Sequence, residues 1–261
     1  MREERLKNKV AVVTGGSSGI GRAISILFAI SGAKVHILDF NEEEGDKVVE
    51  EINILGGKAI LHVCDVSNAL QVNLAVENIV NQDNIIDILV NNAGVSHIGT
   101  LTSTTEEDLQ RIYDINIKGV FLCSKAVIQN MYDNGGGVIL NMASIGATVA
   151  LADRFAYSMS KGAVLNMTIT IAKDYLDKNI RCNSISPGRV HTPFVDDYLK
   201  KNYPDQTEEM FEKLSKTQPI GRMGKPEEIA ELALFLCDDR GAGFITGTDY
   251  PIDGGFIKLN T

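Results

Sequence analysis

The chain contains no tryptophan and has few of the residues that build disulfide frameworks, metal sites or flexible linkers. Its 261 residues include only 6 prolines, 4 histidines and 4 cysteines. The cysteines are Cys64, Cys123, Cys182 and Cys237, which are too far apart for a CxxC motif or a local disulfide pattern. The histidines are equally dispersed. We therefore predict reduced, buried thiols and no metal site.

Positive charge and long apolar runs are also scarce. Lysine and arginine number 25 against 34 acidic residues, and the net charge of −9 argues against nucleic acid as a partner. No apolar run approaches the roughly 20 residues of a membrane span. Residues 1–9 are largely charged, where a signal peptide would need an apolar core. These features predict a cytoplasmic protein that does not bind membranes.

Short runs of Val, Ile and Leu alternate with longer helical patterns along most of the chain, and no Pro/Ser-rich linker interrupts them. Strands are predicted at 9–14, 34–39, 59–64, 86–90, 137–144, 180–186 and 248–252. Helices are predicted at 20–31, 41–55, 68–82, 105–131 and 155–177, with another beginning near Pro226. Continuously apolar strands are typical of parallel sheets buried on both faces. We predict one α/β domain over residues 1–261, a Rossmann-type doubly wound parallel sheet of about seven strands between two layers of helices.

The alternation changes after Pro187-Gly188. Residues 189–217 are polar and helix-prone, and no strand follows them directly. Ligands of doubly wound sheets bind at the carboxyl ends of the strands, which is where this segment begins. We therefore predict that residues 189–217 form a substrate lid.

A glycine-rich turn follows the first predicted strand. The segment Thr14-Gly-Gly-Ser-Ser-Gly-Ile-Gly21 leads into a helix, which is the context of a dinucleotide-binding turn. The glycines allow close approach of the backbone, and free N–H groups at the helix start can meet a diphosphate. Asp39 ends the second strand, where its carboxylate can accept hydrogen bonds from a ribose and repel a 2′-phosphate. This pattern favours NAD over NADP.

Two residues of the predicted helix at 155–177 suit proton transfer. Tyr157 and Lys161 lie four residues apart and so share one helix face. An ammonium beside a phenol favours the ionised phenol, although a pair with this spacing also arises by chance on helix surfaces. Ser144 stands 13 residues before Tyr157 and adds a third polar group. The three residues together predict a proton-transfer site.

The order and spacing of these motifs resemble the short-chain dehydrogenase/reductase family over nearly the whole chain. The motifs are the glycine-rich turn, Asn91-Asn92-Ala93-Gly94, Ser144 with the Tyr157/Lys161 pair, and Pro187-Gly188. The resemblance implies a catalytic set of Asn116, Ser144, Tyr157 and Lys161. It implies cofactor contacts from Gly15, Ser17, Ser18, Gly19, Ile20, Gly21, Asp39, Phe40, Asp65, Val66, Asn92, Ala93, Gly94, Tyr157, Lys161, Pro187, Gly188, Val190 and Thr192.

By this resemblance each catalytic residue has a role. Tyr157 is the general acid/base, Lys161 stabilises the tyrosinate and binds the nicotinamide ribose, and Ser144 holds the reacting oxygen. Asn116 holds a proton-relay water. Because all four residues are present, a dinucleotide-sensing protein without turnover is disfavoured.

Two arginines stand near these residues in the sequence. Arg154 precedes Tyr157 by three residues, and Arg189 follows the Pro-Gly turn directly. Guanidinium groups bind planar oxyanions, so we predict substrate contacts from Ser144, Arg154, Tyr157 and Arg189, with a hydroxy acid or deoxy sugar acid as substrate. The alternative for the arginines is a salt bridge with an acid such as Asp153 or Asp197. The alternative function is an NADP-linked 3-oxoacyl reductase, which Asp39 disfavours.

The resemblance also implies a homotetramer, formed by the long helices and the C-terminal strands across twofold axes. Ala156, Ala163, Val164 and Met167 are small or apolar residues of the predicted helix at 155–177, and they are predicted to pack between subunits.

Overall fold

The computed structural model describes residues 4–259. The outermost positions of the predicted domain, residues 1–3 and 260–261, lie outside the described residues. Seven strands form the sheet: β1 (Val10–Thr14), β2 (Lys34–Asp39), β3 (Lys58–Val63), β4 (Ile88–Asn91), β5 (Gly137–Met142), β6 (Ile180–Pro187) and β7 (Asp249–Ile252).

The helices of the first half are α1 (Gly19–Ile30), α2 (Glu42–Ile54), α3 (Ala69–Asp83), α4 (Glu106–Ile112) and α5 (Gly119–Asp133). Those of the second half are α6 (Phe155–Asp174), α7 (Pro193–Asn202), α8 (Thr207–Ser215), α9 (Pro226–Cys237), α10 (Asp239–Ala242) and α11 (Phe256–Leu259).

All seven strands pair in parallel, in the order β3-β2-β1-β4-β5-β6-β7. The order reverses direction between β1 and β4, and the carboxyl ends of these two strands form the crevice in which doubly wound sheets bind ligands. The predicted single-domain architecture is confirmed.

Two apolar layers cover the sheet. On one face α1, α2 and α9 pack around Phe28, Ile37 and Leu234. On the other face α3, α5 and α6 pack around Ile79, Leu89 and Ile139. The central strands are fully buried, which explains their unbroken Val/Ile/Leu runs. The edge strands β3 and β7 are only partly buried, because a helix layer covers each of them incompletely.

The predicted long helix at 105–131 is wrong in one respect. A π-helical turn over Tyr113–Lys118 separates α4 from α5. Hydrophobic periodicity cannot reveal this turn, because one extra residue per turn barely alters the apolar pattern. The predicted helix at 155–177 ends earlier, at Asp174, and a 3₁₀ turn follows over Leu176–Lys178. Among residues 4–259 no helix is both long enough and apolar enough to cross a bilayer.

The segment predicted as a lid contains the helices α7 and α8. They share a small apolar cluster in which Val195, Leu199 and Met223 are buried. The backbone enters and leaves this segment at one point, because Val190 and Gly224 form an isolated parallel bridge. Two main-chain hydrogen bonds flank the bridge, from His191 N to Gly224 O and from Gly224 N to Arg189 O, each 2.9 Å long. The two helices therefore form a compact unit that is attached to the rest of the domain at the Val190–Gly224 bridge.

Candidate active site

The glycine-rich turn between β1 and α1 is shaped by close backbone contacts. Gly15 has a φ of 61°, a left-handed conformation that favours glycine. A Cβ atom on Gly21 would overlap the carbonyl oxygen of Gly15. Gly19 and Ile20 begin α1, and Ser18 is its N-cap residue without a side-chain capping bond. The N–H groups at this helix start are therefore available to an anion.

Asp39 lies at the carboxyl end of β2, beside this turn. Its carboxylate is 7% exposed and accepts hydrogen bonds from the backbone N–H of Ser17 at 3.0 Å and of Asn41 at 3.1 Å. Each oxygen keeps a further lone pair for a hydroxyl donor. The hydroxyl of Ser17 is buried and has no partner among the described residues. Next to Asp39, the Phe40 ring is 78% exposed.

The Asn91-Asn92-Ala93-Gly94 segment is held against the glycine-rich turn. The Asn92 amide donates hydrogen bonds to the carbonyls of Thr14 (3.1 Å) and Gly15 (3.0 Å). The Thr14 hydroxyl in turn accepts hydrogen bonds from the backbone N–H groups of Asn92 and Ala93, each at 3.0 Å. The Asn92 side chain therefore braces the loop, and ligand contact from this segment would come from Ala93 and Gly94.

Asp65 and Val66 follow β3 at the same edge of the sheet. The Asp65 carboxylate accepts hydrogen bonds from the backbone N–H and the hydroxyl of Ser67. The side chain of Val66 is buried and faces Gly119, where an added Cβ would lie 2.9 Å from it. Val66 can therefore reach a ligand only through its main chain.

Asn116 lies inside the π-helical turn and is almost fully buried. Its Oδ1 accepts a hydrogen bond from the N–H of Val95 at 2.8 Å, and its Nδ2 donates to the carbonyl of Val95 at 2.9 Å. The same amide donates to the Ser160 hydroxyl, which donates to the carbonyl of Tyr157 at 2.7 Å. Asn116 thus ties the loop after β4 to the first turn of α6.

Ser144 and Tyr157 face each other across the end of β5. The Ser144 hydroxyl accepts a hydrogen bond from the N–H of Gly146 at 3.1 Å. Ser144 as a whole residue is 6% exposed. Burial raises the pKa of the Tyr157 phenol, while hydrogen bonding with Ser144 and the positive charge of Arg154 act in the opposite direction. The phenol is therefore held beside a hydroxyl and a cation, and Tyr157 remains partly exposed.

Lys161 is buried one turn after Tyr157. Its Nζ lies 5.8 Å from the centroid of the Tyr157 ring and donates a hydrogen bond to the carbonyl of Met142 at 2.7 Å. Burial lowers the pKa of Lys161 to about 8. Lys161 and Tyr157 lie close together as predicted, but the Lys161 ammonium points at the main-chain carbonyl of Met142.

Arg154 and Arg189 approach the site from two sides. Arg154 is the residue before α6, and its side chain donates a hydrogen bond to the carbonyl of Asp153 at 3.3 Å. The Arg189 Nε donates to the Thr217 hydroxyl at 3.4 Å. Burial and the charge of Arg154 both lower the pKa of Arg189. Within residues 4–259, neither arginine forms the predicted alternative, a salt bridge with Asp153 or Asp197.

The turn after β6 connects the sheet to the segment predicted as a lid. A Cβ on Gly188 would lie 2.8 Å from the Cα of Asp253, a main-chain atom that cannot move aside easily, so glycine is required after Pro187. Val190 is buried, and Thr192 is the N-cap residue of α7. An added Cβ on Gly19 would lie 3.3 Å from the Thr192 methyl group, so α7 begins directly against the glycine-rich turn.

Several residues that build this site carry no signal in the sequence. They are connecting groups: Met142 and Val95 act through main-chain atoms, and Ser160 and Gln218 act through hydrogen bonds to other site residues. Thr14 could have been identified, because it opens the glycine-rich motif. The others depend on contacts between distant segments, which local patterns do not encode.

Comparisons with known proteins agree with this geometry. The profile of the family described as Enoyl-(Acyl carrier protein) reductase matches residues 15–257. The chain is 39% identical over 254 residues to the Uncharacterized oxidoreductase YxbG of Bacillus subtilis (strain 168), covering 97% of this chain and 92% of the relative. It is 37% identical over 253 residues to the 3-oxoacyl-[acyl-carrier-protein] reductase FabG of Thermotoga maritima, covering 97% and 99%.

Solved structures with the same architecture were determined with different cofactors. L-Sorbose reductase from Gluconobacter frateurii, complexed with NADPH and L-sorbose, has a TM-score of 0.93 and 30% identity, with 97% and 98% of the two chains covered. A 7α-hydroxysteroid dehydrogenase complexed with NADH and 7-oxo glycochenodeoxycholic acid has a TM-score of 0.88 and 36% identity, with 97% and 96% covered. The chain therefore belongs to the short-chain dehydrogenase/reductase family, whose members are oxidoreductases that bind a nicotinamide dinucleotide.

Proposed function

We propose that this protein is an NAD-dependent dehydrogenase or reductase that interconverts a secondary alcohol and a ketone on a carboxylated substrate, a hydroxy acid or deoxy sugar acid. The observation that carries this proposal is the grouping of Ser144, Tyr157 and Lys161, with the Lys161 ammonium next to Gly94 in the segment whose Asn92 is bonded to the glycine-rich turn. These groups supply a proton-transfer centre next to a dinucleotide site.

The catalytic roles are assigned from the contacts of each residue. Tyr157 exchanges a proton with the reacting oxygen, and Ser144 donates a hydrogen bond to the same oxygen. Lys161 supplies positive charge behind the phenol and reaches the cofactor ribose. Asn116 fixes the start of α6 through Ser160, and it holds the water that returns protons to solvent. The bound nicotinamide supplies or accepts the hydride.

The glycine-rich turn fits a dinucleotide. The buried Ser17 hydroxyl without a partner and the tight backbone at Gly15 and Gly21 suit a ligand that supplies many acceptor oxygens. Gly19, Ile20 and Ser18 would hold the diphosphate. Pro187, Gly188, Val190 and Thr192 would adjoin the nicotinamide, while Asp65, Val66, Ala93 and Gly94 would line the path of the adenosine.

NAD is favoured over NADP by the charge beside the turn. The Asp39 carboxylate is anchored by two backbone N–H groups, so it cannot turn away from a ribose placed there. A fixed negative charge accepts hydrogen bonds from free ribose hydroxyls and repels a 2′-phosphate. The exposed Phe40 ring offers a flat apolar surface to the adenine.

A carboxylate on the substrate is favoured by the two arginines. Arg154 and Arg189 have no acidic partner in the described part of the chain, and the charge of one lowers the pKa of the other. A planar oxyanion bound between them would relieve this repulsion. Residues 189–217 would close over the bound substrate.

The proposal also covers the oligomeric state of the protein and its cellular compartment. We propose a homotetramer because α4–α6 present exposed apolar side chains, which are Tyr113, Phe121, Phe155, Met159 and Ile169. Of the four predicted packing residues, Ala163 and Met167 are partly exposed and stay in the proposal. Ala156 and Val164 are fully buried inside the subunit, since they lie on the inward stripe of α6. Four free, buried cysteines suit a reducing compartment such as the cytoplasm. Sizing that returned a monomer would contradict the tetramer.

A second candidate is an NADP-linked 3-oxoacyl reductase. The 37% identity to the Thermotoga maritima FabG favours it. The anchored carboxylate of Asp39 disfavours its cofactor, and the net charge of −9 is unsuited to an acidic carrier protein.

The test is cofactor reduction by the purified protein on matched pairs of substrates. Each pair consists of a hydroxy or sugar acid and its uncharged counterpart, such as 3-hydroxybutyrate with its methyl ester and gluconate with glucose. NAD⁺ and NADP⁺ are used in parallel, and Tyr157→Phe gives the background rate. We expect NAD⁺ reduction with a preference for the acids. Preference for NADP⁺ would overturn the cofactor assignment. Equal rates on the neutral partners would overturn the assignment of a carboxylated substrate.

A further inference from the structure

The main chain of Arg154 is held by a bridge to the loop that follows β4. Gly99 and Arg154 form an isolated parallel bridge. The N–H of Gly99 donates a hydrogen bond to the carbonyl of Asp153 at 2.9 Å, and the N–H of Phe155 donates to the carbonyl of Gly99 at 3.1 Å. Asp153 has a φ of 55°, a left-handed conformation that residues other than glycine rarely adopt and that persists only where neighbouring contacts hold it. The bridge therefore fixes the direction in which the chain presents Arg154 at the start of α6.

The imidazole of His97 packs directly against Gly99, the other half of this bridge. A Cβ atom built on Gly99 would lie 2.4 Å from Nε2 of His97 and 3.0 Å from the Thr104 hydroxyl oxygen. These two atoms are themselves 3.3 Å apart, within hydrogen-bond distance. The Thr104 hydroxyl also donates to the carbonyl of Thr100 at 2.7 Å. The absence of a side chain on Gly99 thus lets the ring support the backbone of the bridge.

The other side of the His97 ring is anchored to α4. Its Nδ1 lies 3.5 Å from Oδ1 of Asp108, which belongs to the first turn of that helix, and the His97 side chain is only 12% exposed. Arg111, one turn further along α4, donates a hydrogen bond to the carbonyl of Ser96 at 3.1 Å. The loop after β4 is therefore attached to α4 at two consecutive residues, and the imidazole transmits this attachment to the bridge.

We propose that His97 is a positioning residue for anionic substrates, because it fixes the main chain of Arg154 through Gly99. This inference rests on the proposed function, since the carboxylate that Arg154 would bind is the one proposed there. A guanidinium binds a carboxylate through paired hydrogen bonds of defined geometry, so a change in the direction of its backbone weakens that binding. A neutral substrate does not need the guanidinium, and its binding is independent of His97.

The experiment measures binding of acetate, and of acetamide as its uncharged match, to the full-length protein saturated with NADH. Binding is followed by the fluorescence of bound NADH at constant ionic strength. We expect the wild type to prefer acetate, and His97→Ala and Arg154→Ala each to reduce this preference by roughly tenfold or more, because hydrogen bonds to a charged group are lost. The affinity of both variants for NADH should stay within about twofold of wild type, which shows that they fold. In the double variant the preference should fall no further than in Arg154→Ala, because His97 acts through Arg154.

Asp108→Ala removes the anchor of the ring while keeping the ring itself, and it should reduce the acetate preference in the same direction. Glu106→Ala, at an exposed acid in the same turn of α4, is the matched control and should leave the preference within about twofold of wild type. If the wild type binds acetate and acetamide equally, the carboxylate of the proposed function fails and this inference fails with it. If the wild type prefers acetate and Arg154→Ala loses this preference, then a preference retained in His97→Ala, or losses that add in the double variant, would overturn only the role of His97.

Discussion

Lys161 donates a 2.7 Å hydrogen bond to the carbonyl of Met142, the last residue of β5 and two residues before Ser144. The ammonium is thereby attached to the strand that carries Ser144, although it belongs to the helix that carries Tyr157. This bond couples the spacing of the proposed catalytic groups to the packing of α6 on β5. It also explains how a buried lysine is tolerated, because its polar head has a partner.

The burial of Lys161 predicts that the free energy of unfolding rises with pH in the alkaline range. The folded-state pKa of about 8 lies below the ordinary value of 10.5, so the folded protein holds fewer protons than the unfolded chain between these pH values. Stability should therefore rise with pH over that interval, by roughly 3 kcal/mol from this group. Chemical unfolding of wild type and Lys161→Met at pH 7, 8, 9 and 10 measures the difference. A constant difference between the two proteins would contradict the lowered pKa.

The Tyr157 phenol is predicted to be needed for turnover but not for cofactor binding. Tyr157→Phe keeps the ring and removes the proton donor, so we expect the turnover number to fall by about 10²–10⁴-fold. The affinity for NADH should stay within a few-fold of wild type. Tyr132→Phe, on the exposed side of α5, is the matched control and should retain full activity. Turnover at the wild-type rate in Tyr157→Phe would refute the assigned role.

Cofactor preference is predicted to depend on the charge of Asp39. Asp39→Asn keeps a side-chain acceptor for the backbone N–H of Ser17 while removing the negative charge, whereas alanine would lose both hydrogen bonds to the turn. We expect the ratio of kcat/KM for NAD⁺ to that for NADP⁺ to fall by roughly tenfold or more, because repulsion of the 2′-phosphate disappears. Glu42→Gln, an exposed acid at the start of α2, should leave the ratio unchanged. An unaltered ratio in Asp39→Asn would show that other residues select the cofactor.

A buried histidine predicts sensitivity to acid. His36 on β2 contacts Asp83 through Nε2 and His62 through Nδ1, each at 2.9 Å, and Lys34 also pairs with Asp83 at 2.7 Å. Burial, followed by the charge of His62, lowers the pKa of His36 to about 4. The neutral form is thus favoured on folding.

The contribution of His36 to the free energy of unfolding is fully present above pH 6.5. It is lost as the pH falls towards 4, where the free energy of unfolding is lower by roughly 3 kcal/mol. Urea unfolding between pH 7 and 4 should show a shallower loss of stability for His36→Leu than for wild type. Parallel curves for the two proteins would mean that His36 does not titrate in this range.

The fold can be predicted from the sequence because each buried parallel strand corresponds to an unbroken run of apolar residues. All seven strands lie within two residues of their predicted bounds, since Gly, Pro and Asp residues mark where they end. The π-helical turn around Asn116 was not predicted. Within this turn the Asn116 side chain makes two hydrogen bonds to Val95, 21 residues away, and such contacts leave no periodic trace in the sequence.

The same distinction applies to the candidate site. Ser144, Tyr157 and Lys161 are visible in the sequence because the helix and strand that carry them set their spacing. The partner of Lys161 is not visible, since Met142 acts through its carbonyl and any side chain would serve.

The bridge between Val190 and Gly224 has a consequence for the history of this protein. Because the chain leaves and rejoins the domain at neighbouring points, residues 191–223 form a cassette. We expect insertions or deletions in α7 and α8 to leave the register of β6 and β7 undisturbed. The shape of this part of the cassette can therefore change while Ser144, Tyr157 and Lys161, which lie outside it, stay the same.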